Sequence, residues 1–320
     1  MKEIGGYFGL ESLINNPFYP DLLMLNSGRN AVLYVCLARS LKKVYLPSFL
    51  CSSVSMTLQQ HGIECVEYAI CTDFSADLAA YINRIKADEA VLIVNYYGQL
   101  SNDDIRNCQM LPCHVIVDNT QAFFQRPLSG VDTVYSCRKF FGVPDGACLS
   151  TDQVLSDPLD QDVSMDRMTH MLGRFEGSAS DYYADFKAND KQMRDVPLRK
   201  MSQLTHNLLG AIDYERVWRQ RTANYACLAE ALDVKNKLKL KAPAGPFAYP
   251  LLVEDGIRIR KQLAEQKIYV PLLWPNVLET SEKSSIEARY AADILPLPCD
   301  QRYNQEDMMI VVNAVRHCLI

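Results

Sequence analysis

Residues Ala90-Val91-Leu92-Ile93-Val94 form an apolar run with no polar position in it, closed by Asn95. A strand that is apolar at every position, rather than at alternate ones, has both faces covered. Shorter runs of the same kind recur at Val44-Tyr45-Leu46, Val115-Ile116-Val117, Thr133-Val134-Tyr135 and Ala147-Cys148-Leu149, with a further strand at Glu64 to Ala69. Between them lie segments of helical period. Ala31 to Lys43 places Leu33, Leu37 and Leu41 at four-residue steps, after a start at Asn26-Ser27-Gly28 in which Ser27 suits an N-cap. Val54 to His61 and Ala76 to Ile85 are read as two more helices. Strands alternating with helices predict a mainly parallel α/β sheet.

The middle of the chain reads differently. Asp152 to Arg199 is rich in charge and methionine and shows no strand pattern. Met201 to Leu232 reads as one long helix, with Leu204, Leu208, Ile212 and Leu228 apolar, and Lys235 to Pro246 as a linker. A strand (248–253), a helix (257–266), a strand (268–273) and a final helix (305–317) complete a second, smaller α/β domain. The expected division is 1–235 and 236–320.

Composition narrows the function classes. A formal charge of −5 argues against a dedicated nucleic-acid binder, which carries a basic face. No run approaches the 18 or so uncharged apolar residues of a membrane span. Eleven cysteines are scattered with no Cys-x-x-Cys pair, and Met1 to Gly6 lacks the apolar core of an export signal. The expectation is a cytoplasmic protein with reduced thiols. The five histidines show no metal-ligand spacing.

Three segments fall where open α/β sheets bind ligands, just beyond strand ends. Asn26-Ser27-Gly28-Arg29-Asn30 opens a helix, where exposed N–H groups and the helix dipole favour an anion and Arg29 adds charge. Asp118 ends a buried strand in Val117-Asp118-Asn119-Thr120-Gln121. Lys139 follows another strand in Tyr135-Ser136-Cys137-Arg138-Lys139-Phe140-Phe141, where the two phenylalanines would desolvate its amine and lower its pKa. Each alone also suits a plain structural reading: a helix cap, a turn, a solvated charge. Together, an anion site, a strand-end carboxylate and a strand-end lysine are what pyridoxal phosphate (PLP) needs: a phosphate dock, a partner for the pyridine nitrogen and an amine for the Schiff base.

The chain resembles the fold-type I PLP-dependent aminotransferases of the DegT/DnrJ/EryC1/StrS group. Leu25-Asn26-Ser27-Gly28 with Asn30-Ala31-Val32 is similar to that family's Ser-Gly-Thr-x-Ala-Leu helix start, and Val44-Tyr45-Leu46-Pro47-Ser48-Phe49 to its Val-x-x-Pro-Ser segment. Asn95-Tyr96-Tyr97-Gly98-Gln99 resembles its Tyr-Gly-Gln strand end, and Val117-Asp118-Asn119-Thr120-Gln121-Ala122 its Glu-Asp-x-Ala-Gln-Ala. Lys267 to Val270 and Ile294 to Pro298 resemble segments of its small domain.

The resemblance implies a PLP-transferase fold of type I, with a mainly parallel large domain and a smaller C-terminal α/β domain, assembled as a homodimer. It implies transfer of an amino group from a donor such as glutamate to the carbonyl of a nucleotide-linked keto-sugar. Lys139 would be the cofactor-bound lysine and the proton carrier, Asp118 would hold the pyridine nitrogen, and Gln121 would contact the ring. Ser27, Gly28, Arg29 and Ser136 would hold the phosphate. The chain departs from the pattern at several of these positions. Ser136 precedes Lys139 by three residues, Arg29 replaces a threonine, and Leu50-Cys51-Ser52 offers no aromatic to stack on the ring. Leu198-Arg199-Lys200-Met201 lacks the asparagine that reaches across the family's dimer, and Gly142-Val143-Pro144-Asp145-Gly146 replaces a Gly-Glu-Gly-Gly turn.

Three other readings stand beside this one. A PLP transaminase or lyase acting on a small amino acid would need the same fixtures, and a non-catalytic PLP-fold protein would tolerate the departures. Ser136-x-x-Lys139 also fits the bare motif of penicillin-recognising acyl transferases, but the Ser-Asp-Asn and Lys-Thr-Gly elements of those enzymes are missing. Trp274, before Pro275, is a candidate for lining a substrate cleft or for core packing, and Arg174, Arg194 and Arg199 for anion recognition or plain surface charge.

Overall fold

The apolar runs assemble into a single twisted layer. In the computed structural model, which describes residues 4–319, the first half of the chain contains β1 (Leu23–Leu25), α1 (Gly28–Ala38), β2 (Lys43–Pro47), α2 (Ser52–Gln60), β3 (Glu64–Tyr68), β4 (Ala90–Val94), α3 (Asn102–Cys108), β5 (His114–Asp118), β6 (Asp132–Ser136) and β7 (Ala147–Ser150). The strands form one sheet in the order β1-β7-β6-β5-β4-β2-β3. The pairs β2–β3, β2–β4, β4–β5 and β5–β6 are parallel, and β7 runs antiparallel between β6 and β1.

The two faces account for the unbroken run in β4. Ala90, Leu92 and Val94 pack with Val32, Leu33 and Val35 of α1. Val91 and Ile93 face the other way, into a core with Val117 of β5 and Ile105 of α3. All five β4 residues are buried, and burying each of the larger ones stabilises the fold by roughly 1.5–3 kcal/mol. Both helices are capped as their sequences require. Ser27 Oγ accepts from the Asn30 N–H at α1, and Ser101 and Asp104 form a reciprocal capping box at α3.

The second half holds α4 (Thr169–Glu176), α5 (Tyr183–Gln192), α6 (Gln203–Gly210), α7 (Tyr214–Leu232), β8 (Tyr249–Leu252), α8 (Gly256–Glu265), α9 (Pro275–Thr280), α10 (Ile286–Asp293), β9 (Ile294–Leu297) and α11 (Gln305–Cys318). β8 and β9 form a separate antiparallel pair. Its core joins Leu251, Leu295 and Leu297 to Leu263 of α8 and Val312 of α11, and also takes Tyr225, Leu228 and Leu232 from α7. The end of α7 is therefore packed with the residues that follow it.

Three sequence expectations are corrected. Residues 76–85 do not form a helix. Ala76 bridges to Ile70 and the Asp77 N–H donates to Ala69 O, so the segment begins tied to the end of β3 and continues as linked turns that still bury Ile85. The long helix over 201–232 is two helices. Gly210 lies against the N-terminal segment, which leaves a Cβ there only 2.9 Å from the Ile14 carbonyl oxygen, and Asp213 starts α7 afresh by accepting from the Arg216 N–H. Residues 268–273 are not a strand, since Pro271 has no N–H to give and β8 takes Ile294–Leu297 as its partner.

Candidate active site

Parallel strands that end together bring their C-terminal residues together, and β5, β6 and the start of α1 meet in this way. A Cβ placed on Gly28 would lie 3.6 Å from both Ser136 Cβ and Thr120 Oγ1. Glycine thus keeps open a niche bounded by the ends of β5 and β6 and by the first turn of α1. The Gly28 and Arg29 N–H groups of that turn have no acceptor within the helix, as at any helix start. Ser27 is buried and its hydroxyl is engaged as the cap, while Ser136 is half-buried at the rim of the niche.

Asp118 is the last residue of β5 and only 7% exposed. Its Oδ1 accepts from the Thr120 N–H at 2.8 Å. Burial holds its carboxyl above the usual aspartate value, opposed by the bonds from Thr120 and by the charge of Lys139. Lys139 ends the single 3-10 turn Cys137–Lys139 that follows β6. Its side chain keeps access to solvent, yet protein surrounds it closely enough that desolvation, and next the neighbouring Arg138, hold the amine below the usual lysine value. Asp190 and Asp118 lie within electrostatic reach of it, and Cys51 is a further neighbour. Carboxylate, amine and anion niche, read separately in the sequence, therefore share one cleft.

Two proposed residues are engaged elsewhere. The Gln121 Oε1 accepts from the Tyr97 N–H at 2.7 Å, bracing a residue whose φ is 54°, so that oxygen holds the turn after β4. The Arg29 guanidinium donates to the Met193 carbonyl just past α5, which aims it toward the 190–195 segment. Its neighbours there are Cys51, Asp190 and Arg194.

The structure adds two residues, Arg138 and Asp190, that the sequence did not place in the site, and it puts Cys51 where the sequence expected the ring-stacking position. Arg138 makes no ion pair or hydrogen bond among the described residues, and burial lowers its pKa; Asp190, Arg29 and Arg167 are its charged neighbours. Asp190, on α5, lies within electrostatic reach of Arg29, Arg138 and Lys139 at once. Cys51, exposed at the start of α2, is an electrostatic neighbour of Lys139. Nothing in the sequence marked Asp190, because α5 belongs to the stretch without clear periodicity. Cys137 is fully buried against Cys148, with 3.8 Å between sulfurs, and so points away from the cleft. Trp274 packs edge-on to Phe49 at 4.5 Å and to Tyr96 at 5.6 Å, in the aromatic cluster behind the cleft. Arg194 and Arg199 approach Asp190 and Asp162 at 3.9 and 3.8 Å, and Arg174 is exposed.

The donor set fits PLP. The niche that a Gly28 Cβ would occupy suits a phosphate, a buried carboxylate with one bonded oxygen suits a protonated ring nitrogen, and a desolvated amine suits a carbonyl carbon. Among the described residues no cluster of His, Cys, Asp and Glu is arranged to hold a metal ion, and no helix is long and apolar enough to cross a membrane.

No protein-family model matches the sequence, and no curated protein matches it. Solved structures do resemble it. A DegT DnrJ EryC1 StrS aminotransferase from Brucella abortus is 15% identical, with a TM-score of 0.64 over 93% of this chain and 86% of that one. DesI, solved in the presence of its TDP-sugar product, is 16% identical, with a TM-score of 0.64 over 93% of this chain and 80% of that one. The PLP form of Spr1654 from Streptococcus pneumoniae is 14% identical, with a TM-score of 0.64 over 94% and 88%. The chain has the fold of these proteins.

Proposed function

We propose that this protein is a PLP-dependent aminotransferase that takes an amino group from glutamate or a similar donor and delivers it to a nucleotide-linked keto-sugar. The observation that carries the reading is the meeting of Asp118, Lys139 and the start of α1 in one cleft of a fold shared with aminotransferases. The sugar class is supported by DesI, whose structure includes its TDP-sugar product. In this reading residues 1–235 form the cofactor-binding domain and 236–320 the small one, and the protein is a cytoplasmic homodimer.

The cofactor supplies an electron sink for the negative charge left when a proton leaves the substrate carbon. The rest falls to the chain's own groups. Lys139 would hold the cofactor through Nζ. Once freed it would carry a proton at that nitrogen, and desolvation, by lowering its pKa, enlarges the neutral, proton-accepting fraction. Asp118 keeps its negative charge beside the ring nitrogen and so holds a proton there. The first turn of α1, through the Gly28 and Arg29 N–H groups beside the Ser27 cap, and Ser136 across the niche would hold the phosphate. Arg138 adds an unpaired positive charge at the cleft for the same anion or for an acidic substrate group. Gln121, whose oxygen is committed to Tyr97, has only its amide nitrogen left for the ring.

The test is direct. The purified protein incubated with PLP turns yellow, and borohydride reduction fixes the cofactor's mass on the peptide containing Lys139. Glutamate bleaches the yellow form, and a nucleotide-linked keto-sugar restores it. Failure to take up PLP at all would end the reading, whereas uptake without response to any keto-sugar would end only the sugar assignment.

A further inference from the structure

Among the described residues the largest fully buried side chain is a charged one. Arg221, on α7, is 2% exposed. Its Nε donates to Gln301 Oε1 at 2.7 Å, Nη1 to the carbonyls of Pro246 and Phe247 at 2.8 and 3.3 Å, and Nη2 to the carbonyl of Phe140 at 3.1 Å. Gln301 closes the ring by donating from Nε2 to the same Phe140 carbonyl at 2.8 Å. The guanidinium also lies 4.5 Å from the centre of the Phe140 ring.

No carboxylate pairs with Arg221 among the described residues. The nearby Asp300 is taken by Arg302, through Nε at 2.7 Å and Nη2 at 2.8 Å. Neutral oxygens alone solvate the Arg221 charge, and burial pushes its pKa down to about 10, which leaves it charged at neutral pH. An apolar residue of similar volume would fill the same space without that desolvation, so packing does not explain an arginine here. What only a forked cation does is bind several carbonyls from different segments in one plane. The segments it joins are telling. Phe140 is the residue after Lys139, Pro246 and Phe247 lead into β8, and Gln301 follows β9. Both flanks of the small sheet are thus lashed to the backbone of the lysine turn.

We propose that Arg221, with Gln301, is a positioning residue that fixes the Lys139 turn through the Phe140 carbonyl and links the placement of the amine to that of the C-terminal unit. The inference rests on the reading of Lys139 as the reactive amine, but its test does not depend on cofactor chemistry. In the cofactor-free full chain, the Lys139 amine is titrated by reductive methylation with 13C-formaldehyde and NMR, in wild type, Gln301→Leu, Arg221→Lys and Arg221→Met. Gln301→Leu keeps the buried charge and removes one clamp; Arg221→Lys keeps the charge and removes the fork. Both are expected to fold, by circular dichroism and sizing, with the Lys139 titration moved from its wild-type position. If transamination is established, kcat falls by roughly 100-fold with KM little changed, the loss expected of a misplaced reacting group. Folded Gln301→Leu and Arg221→Lys proteins with the wild-type Lys139 titration would overturn the inference, even if their melting temperatures drop. Should Arg221→Met fail to fold, these two variants decide alone. A wild type that takes up no PLP overturns the proposed function instead, and the titration still judges the clamp.

Discussion

Replacement of Asp118 by asparagine isolates the role of one charge. The carboxylate is 7% exposed, and the bond that holds it in place is the one from the Thr120 N–H to Oδ1 at 2.8 Å. The carbonyl of an asparagine amide can keep that bond in the same volume, so folding is preserved. What is lost is the negative charge toward the ring nitrogen. A hydrogen bond to an ionised group in such a place is worth about 1.5–3 kcal/mol net, so PLP affinity falls roughly 10- to 150-fold. Turnover falls further, because an amide cannot hold a proton on the ring.

The pH dependence supplies an internal control. Burial raises the Asp118 pKa, so the folded, cofactor-free chain holds that proton more tightly than the unfolded chain does. The resulting stabilisation is complete below the ordinary aspartate pKa and is lost as pH rises through the raised value. PLP affinity runs the opposite way: it needs the ionised carboxylate and weakens as pH falls through the same value. Both dependences are expected to vanish in Asp118→Asn, read by thermal melts across acidic pH and by absorbance titration with PLP. Wild-type affinity and turnover in the variant would refute the assignment.

Other outcomes follow from the same geometry. Lys139→Met abolishes the yellow colour and the borohydride-fixed mass. Because desolvation lowers the Lys139 pKa, the wild-type unfolded chain binds more protons between the folded value and the ordinary lysine value, so this residue's contribution to stability rises with pH across that window. Melts of Lys139→Met, which lacks that contribution, should be flatter there. Gly28→Val closes the niche against Ser136 and Thr120; it should leave the far-UV spectrum intact while PLP and inorganic phosphate both bind at least about tenfold more weakly, as if one charge-assisted bond were lost. Equal affinity would place the phosphate elsewhere. Gly256→Ala brings a Cβ within 2.6 Å of Asp293 Cα and 2.8 Å of the Ala292 carbonyl oxygen, backbone atoms that cannot swing aside. It should destabilise by about 1–3 kcal/mol in urea melts.

Much of the layout was legible because it is local or periodic. The β4 run required cover on two faces, and Val91 and Leu92 do lie in different cores. Ser27 marked the start of α1, and Asp118 and Lys139 stood out by following apolar strands. The misread segments are those ruled by distant contacts. The break between α6 and α7 depends on the N-terminal segment, where the Asn16 N–H donates to the Gly210 carbonyl at 2.8 Å. The 268–273 stretch looks like a strand in isolation, but a strand needs an edge to pair with, and β9 occupies the one that β8 offers.

The sequence by itself determined six of the seven strands of the large sheet, all but the edge strand β1, together with the candidate anion site, carboxylate and amine. Those follow from hydrophobic period, capping chemistry and strand ends, which are properties of short stretches. Only the tertiary structure decided what stands around them. It brought Asp190 from α5 to Arg29 and Lys139, left Arg138 unpaired beside the amine, turned Gln121 to the Tyr97 backbone, and buried Arg221 between the lysine turn and the C-terminal unit. Electrostatic neighbours and hydrogen-bond partners depend on distance in space. Residues tens of positions apart acquire that distance only when the chain has folded.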